Sequence, residues 1–226
     1  MRILVVAATD PEVSALVRKL GRVREQRGRL AEYVCADRAV HVLITGVGMV
    51  ATAAWCSREL SESRYDLALD LGLCGSFDTG LVPGTVVHVV SDCLPELGAE
   101  DGDRFVSLEE LGLEDRLEAR FSCAELRNPA PPKNGVLERL PKAKGITVNT
   151  VHGHDRSIAA VVERLHPQVE SMEGAAFMYA CLMHGVPFAQ IRAVSNVVER
   201  RNRGAWKVLE AIDALGETAF EVVTAP

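Results

Sequence analysis

The sequence predicts an α/β fold in which a mostly parallel sheet is covered on both faces by helices. Continuous runs of β-branched and aliphatic residues recur along the chain, as strands buried on both faces require. Between them, apolar residues return at helical spacing. Glycines and polar residues cluster just after the apolar runs, where sheets of this kind build their sites.

The elements follow in order. Residues 3–8 are the first apolar run. Thr9 or Asp10 then offers a helix cap, Pro11 suits a first helical turn, and Val13, Leu16, Val17 and Leu20 make one apolar face. Residues 30–36 and 39–45 read as two strands with Asp37-Arg38 as the turn. Gly46-Val47-Gly48 precedes a helix over 49–60, and 67–73 is a strand running into Gly72, Gly75 and Ser76. A strand is expected at 85–91. Regular structure returns at 145–151 (strand), 157–165 (helix), 169–172 (short strand), 174–184 (helix), 188–194 (strand) and 205–223 (helix). The chain is expected to be one domain, 1–226, with an irregular excursion at about 94–141 carrying a short helix or two.

Bulk properties narrow the function. A length of 226 residues, 48% apolar and 25% charged, suits a globular core that needs neither metal nor disulfide. The net charge of −6 disfavours a nucleic-acid partner. Six cysteines at 35, 56, 74, 93, 123 and 181 form no CxxC pair and are expected as reduced thiols of a cytoplasmic protein. The opening apolar run is too short for a signal peptide, and no run is long enough to span a membrane.

Five polar clusters are candidates for chemistry: Asp10/Glu12, Gly46-Val47-Gly48, the stretch 72–76, Ser171-Met172-Glu173 and Ser195-Asn196. Glu12 sits in the first turn after strand one, where a carboxylate either complements a helix N-terminus or acts as a base toward water. Glu173, after Ser171 and Met172, begins a helix between two apolar segments, where an unpaired charge is costly. Asn196, beside Ser195, either belongs to a turn or offers amide donors to a nucleobase. Gly46-Val47-Gly48 lacks the context of a dinucleotide fingerprint, and no Walker sequence occurs, so no cofactor is expected. His152-Gly153-His154-Asp155 lacks the partners of a metal site and reads as a polar loop. Arg200, Arg201 and Arg203 form a solvated turn or a carboxylate clamp.

Taken in order, MRILVVAATDPEV, ITGVGMVATAA, DLGLCGSFDTGLVPGTVV and QVESMEGAAFMYACLMHGVPFAQIRAVSNVVE resemble the nucleoside phosphorylase and methylthioadenosine/adenosylhomocysteine nucleosidase superfamily. SMEGAAF, RAVSN and VVERRNRGAW are similar to the futalosine hydrolase family within it. The resemblance implies a three-layer α/β/α fold with a mixed, partly closed central sheet. It also implies a homo-oligomer, a dimer or tetramer, acting on a small-molecule nucleoside. By matching positions, Glu12 is the water-activating base, Met172 and Glu173 bind ribose, and Asn196 with Ser195 and Gly75 recognises the base. A stacking residue is expected in 149–152, with Val151 and His152 as candidates, and Arg201 and Trp206 are candidates for a carboxylated aromatic tail. Adenine-specific members carry aspartate where this chain has Asn196, whose two N–H donors suit a 6-oxopurine. Phosphorylases hold phosphate with arginines at positions matching Val13 and Asp70, so water is expected as the nucleophile.

Overall fold

The computed structural model of the chain describes residues 1–113 and 125–225. Strand β1 (Arg2–Ala7) leads directly into helix α1 (Asp10–Leu20). At that junction the Thr9 backbone N–H and hydroxyl both donate to Glu12 Oε2, at 3.0 and 2.8 Å. A side chain reaching back three residues in this way satisfies donors that a helix start leaves free. Strands β2 (Glu25–Arg27), β3 (Leu30–Cys35) and β4 (Arg38–Ile44) form an antiparallel meander. Its second turn is Ala36-Asp37, both at positive φ (48° and 59°), one residue earlier than the sequence suggests. Two such residues between paired strands match the twist of a tight hairpin.

Helix α2 (Met49–Glu62) precedes β5 (Leu67–Ser76) and β6 (Val86–Asp92). Within the expected excursion, β7 (Gly98–Asp101) and β8 (Arg104–Ser107) pair as a hairpin turning at Gly102, which the sequence reading did not foresee. Strand β9 (Leu126–Arg127) and the short helix α3 (Gly135–Arg139) follow; residues 114–124 of the excursion lie outside the described residues. The second half comprises β10 (Lys142–Thr147), α4 (Asp155–Leu165), β11 (Val169–Ser171), α5 (Gly174–His184), β12 (Phe188–Val197) and α6 (Val208–Thr224). Strand β10 begins three residues earlier than expected and ends at Thr147, so Val151 and His152 leave the sheet. The last helix starts at Val208, after a single 3-10 turn over Arg203–Ala205.

The sheet is mixed and closes on itself. Strand β1 lies parallel between β4 and β5, and β5 runs parallel to β12. β12 is antiparallel to β6, β6 parallel to β10, and β10 parallel to β11. β11 then pairs antiparallel with the far end of β5, through Val169↔Ser76 and Glu170↔Gly75. That last ladder closes β5, β12, β6, β10 and β11 into a ring, so the sheet is mixed and partly closed as the family resemblance implies, where pattern alone suggests a mostly parallel one. It also explains why β5 continues as strand through Gly72 and Gly75: its second half serves the ring.

Alternation along β1 distributes the core. Leu4 and Val6 pack on the side of α2 and α5, with Leu60, Phe177 and Met178. Ile3, Val5 and Ala7 face α1 and α6, with Leu16 and Leu215. One strand feeding two cores at a period of two gives the helix–sheet–helix layering. The described cysteines, at 35, 56, 74, 93 and 181, are unpaired thiols, and burial pushes the Cys74 thiol up to about 12. Cys123 lies outside the described residues. Among the described residues no helix is long and apolar enough to cross a membrane.

Candidate active site

The C-terminal ends of β1, β5, β11 and β12 surround a cavity of about 380 Å³. The expected catalytic and substrate-binding residues line it. Glu12 comes from the start of α1, and Gly75 from β5. Met172 and Glu173 come from the β11–α5 junction, Ser195 and Asn196 from β12. Val151 and His152 come from the loop after β10, Arg201 and Trp206 from the segment before α6. Of the three arginines considered for a clamp, only Arg201 reaches the lining.

The two carboxylates named from the sequence are held by main-chain donors. Glu12 Oε2 takes the two Thr9 donors, and Oε1 accepts from the Leu73 N–H at 3.2 Å. One side chain therefore ties α1 to β5. Glu173, buried, accepts from the Gly48 N–H (3.0 Å) on Oε1 and from the Met172 N–H (3.3 Å) on Oε2. Gly48 has φ of +98°, a conformation that side chains rarely tolerate, so glycine is what lets this loop present its N–H to the carboxylate. Beneath Glu173 the α5 N-terminus is pinned by a buried chain. The Ala175 N–H donates to Thr147 Oγ1 (2.7 Å), Thr147 Oγ1 donates to Asp92 Oδ1 (3.0 Å), and Gln190 Nε2 donates to Asp92 Oδ2 (3.1 Å). Burial pushes the Asp92 carboxyl up to about 6, opposed by these side-chain donors.

Under Glu12 lies an ion pair, Asp70–Arg192, with both side chains 1% exposed. Burial is the largest influence on Asp70 and pushes its carboxyl up; the Arg192 guanidinium opposes it. Gly72 sits directly over the guanidinium. A Cβ there would overlap Arg192 and lie 3.1 Å from Glu12 Oε1. Asp70 is not part of the cavity lining, which corrects the expectation that its charge bears on an anion bound there.

Asn196 falls within β12, at a bulge between Val194 and Asn196, and not in a turn. Its Oδ1 accepts from the Ser195 hydroxyl (2.8 Å), and one Nδ2–H goes to the Val197 carbonyl (2.9 Å). The opposite amide orientation would set two carbonyl oxygens together, so the hydrogen bonds fix it. One N–H, not the two expected, remains for a ligand. His152 is anchored to a residue the sequence reading passed over: its ring Nδ1 lies 2.7 Å from Glu170 Oε2, and its backbone N–H also points at that carboxylate. The Arg201 guanidinium stands 5.3 Å from the centre of the Trp206 ring, a cation–π distance.

Comparison with known proteins fits this arrangement. A family model described as "Phosphorylase superfamily" matches residues 2–225. The chain belongs to the phosphorylase superfamily. A futalosine hydrolase of Streptomyces coelicolor is 33% identical over 77% of this chain and 74% of its own length. That of Thermus thermophilus is 33% identical over 76% of each. A 5'-methylthioadenosine/S-adenosylhomocysteine nucleosidase of Bacillus pumilus is 25% identical over 89% of this chain and 88% of its own. Among solved structures, the futalosine hydrolase of Helicobacter pylori superposes with a TM-score of 0.82 at 13% identity, covering 99% of this chain and 97% of that one. This likeness shows a shared fold.

As a hydrolase of the phosphorylase superfamily, the enzyme surrounds its cavity with four carboxylates, Glu12, Glu170, Glu173 and Glu199, and one guanidinium, Arg201. Three buried charges escaped the sequence reading of the site: Glu170, Arg192 and, in its true role, Asp70. Each stands inside an apolar strand, and that costly position was the available signal. What concealed the ion pair is separation, since its partners lie 122 residues apart.

Proposed function

We propose that this enzyme hydrolyses the N-glycosidic bond of futalosine, releasing hypoxanthine and dehypoxanthine futalosine, in the futalosine route of menaquinone biosynthesis. The observation that carries the reading is the convergence of two main-chain-anchored carboxylates, Glu12 and Glu173, and the Asn196 amide on one cavity. The names of the relatives at 33% identity point the same way.

In this reading Glu173 accepts from the ribose hydroxyls and stabilises positive charge as the C1′–N bond stretches toward an oxocarbenium-like state. Glu12 takes a proton from water, whose oxygen bonds to C1′, a role typically worth about 10²–10⁴-fold. The free N–H of Asn196 stabilises charge on the departing base. An amide has no proton to give, so hypoxanthine draws its proton from solvent. Water is favoured over phosphate as nucleophile because a phosphate dianion would enter a cavity ringed by four carboxylates. Arg201, steadied by Trp206, receives the carboxylate of the substrate's aromatic tail.

The test is incubation without phosphate with futalosine, aminodeoxyfutalosine, methylthioadenosine and inosine, measuring free base. Futalosine should turn over fastest; dependence on phosphate, or preferential release of adenine, would overturn the reading. In Asn196→Asp the preference for 6-oxo over 6-amino substrates should fall by about 10- to 100-fold, the size of one mismatched buried hydrogen bond. Arg201→Ala should raise KM for futalosine by about 10-fold while leaving inosine unaffected, as expected for one charge-assisted contact. An unaltered futalosine KM would remove Arg201 from the tail site.

A further inference from the structure

Glu170 is a buried carboxylate that the mechanism above does not use. It lines the cavity, its side chain is 3% exposed, and its partner across β5 is Gly75. Among the described residues, the hydrogen bonds to its carboxylate all come from His152: the ring Nδ1 at 2.7 Å from Oε2, and the backbone N–H at 3.2 and 3.3 Å from the two oxygens. A carboxylate offers about four acceptor positions, so two donors from one residue leave acceptor capacity over. His152 fixes the group in place without exhausting it.

Its neighbour is the amide of Asn196. The point where a Cβ on Gly75 would stand lies 2.8 Å from Val198 Cγ2, 3.4 Å from Asn196 Nδ2 and 3.5 Å from Glu170 Cγ, the methylene that carries the carboxylate. A donor and an acceptor thus flank one glycine on the cavity wall. That pair matches the edge of a 6-oxopurine, which presents an acceptor at O6 and a donor at N1–H. A 6-aminopurine presents the reverse, a donor at its amine and an acceptor at N1. Set against it, Glu170 would turn a carboxylate oxygen toward a ring nitrogen lone pair, with no hydrogen between them.

Resting on the proposed reaction, we infer that Glu170, held by His152, is a specificity-determining residue that accepts the N1–H of the 6-oxopurine base. The Asn196 donor and the Glu170 acceptor then read adjacent positions on one edge, and discrimination comes from both together. Sites built to bond a polar edge reject the analogue with the wrong pattern far more strongly than apolar pockets reject a missing methylene.

The test compares kcat/KM for futalosine and aminodeoxyfutalosine in wild type and Glu170→Gln, with hypoxanthine and 1-methylhypoxanthine as competing ligands. Glu170→Gln keeps the shape and replaces acceptor by donor on one side. The futalosine-to-aminodeoxyfutalosine ratio should collapse by roughly 10²-fold or more, which a merely structural role would not produce because it would lower both substrates alike. Wild type should bind hypoxanthine at least roughly 10²-fold more tightly than 1-methylhypoxanthine, which has no N1–H. A folded Glu170→Gln with an unchanged ratio, or equal wild-type affinity for the two bases, would overturn the inference. The base comparison needs no turnover. Failure of wild type to cleave futalosine would therefore strike the functional proposal alone, while the same two bases bound to folded Glu170→Gln, where the preference for hypoxanthine should vanish, still decide the role of Glu170.

Discussion

Replacing Glu12 by glutamine is expected to lower kcat for futalosine without phosphate by about 10²–10⁴-fold, the usual worth of a positioned base. The substitution is nearly isosteric, so the cavity keeps its shape, but an amide cannot take a proton from water. Its fold cost is modest and traceable. Glu12 accepts from Thr9 on one oxygen and from Leu73 on the other, so an amide nitrogen must face donors on whichever side it lies. Losing one such bond costs about 1–3 kcal/mol. Hypoxanthine binding should survive, because Glu12 makes no contact with the base in the proposed pose. A variant with undiminished kcat and wild-type melting behaviour would show that Glu12 only ties α1 to β5.

Arg192→Met should be the most damaging single change to stability, costing about 3–5 kcal/mol by leaving Asp70 buried without its counter-charge. For a chain of this size that is a fall in Tm of roughly 6–20 °C. The physical reason lies in both partners being 1% exposed: neither water nor another cation can replace the guanidinium. Adding Asp70→Asn should recover part of the loss, since an amide tolerates burial better than a carboxylate. If the single variant melted within about 2 °C of wild type, the pair would contribute little, and the packing around Gly72 would have to bear the explanation.

Much of the architecture was legible because it is local. Strand β1, the Thr9–Glu12 junction and the bounds of α5 all follow from short-range pattern. The clusters at the strand ends followed from the parallel-sheet rule, and each sends at least one residue to the cavity. Ring closure was legible only through the family resemblance, because the β5–β11 ladder joins Gly75 to Glu170 with no periodicity to announce it. The hairpin at Gly98–Ser107 was within reach, because Asp101-Gly102 is a turn signal inside a stretch that reads as an irregular excursion. At Asn196 the bond to Val197 depends on a bulge in β12 that spacing does not reveal.

The donors securing Glu12 and Glu173 include the peptide groups of Leu73, Met172 and Gly48. Genetic drift can alter any side chain, yet only proline deletes an amide hydrogen. Any replacement but proline at Leu73 or Met172 would therefore leave the hold on the acid pair almost intact, while base and tail preference rest on the side chains of His152, Glu170, Asn196 and Arg201.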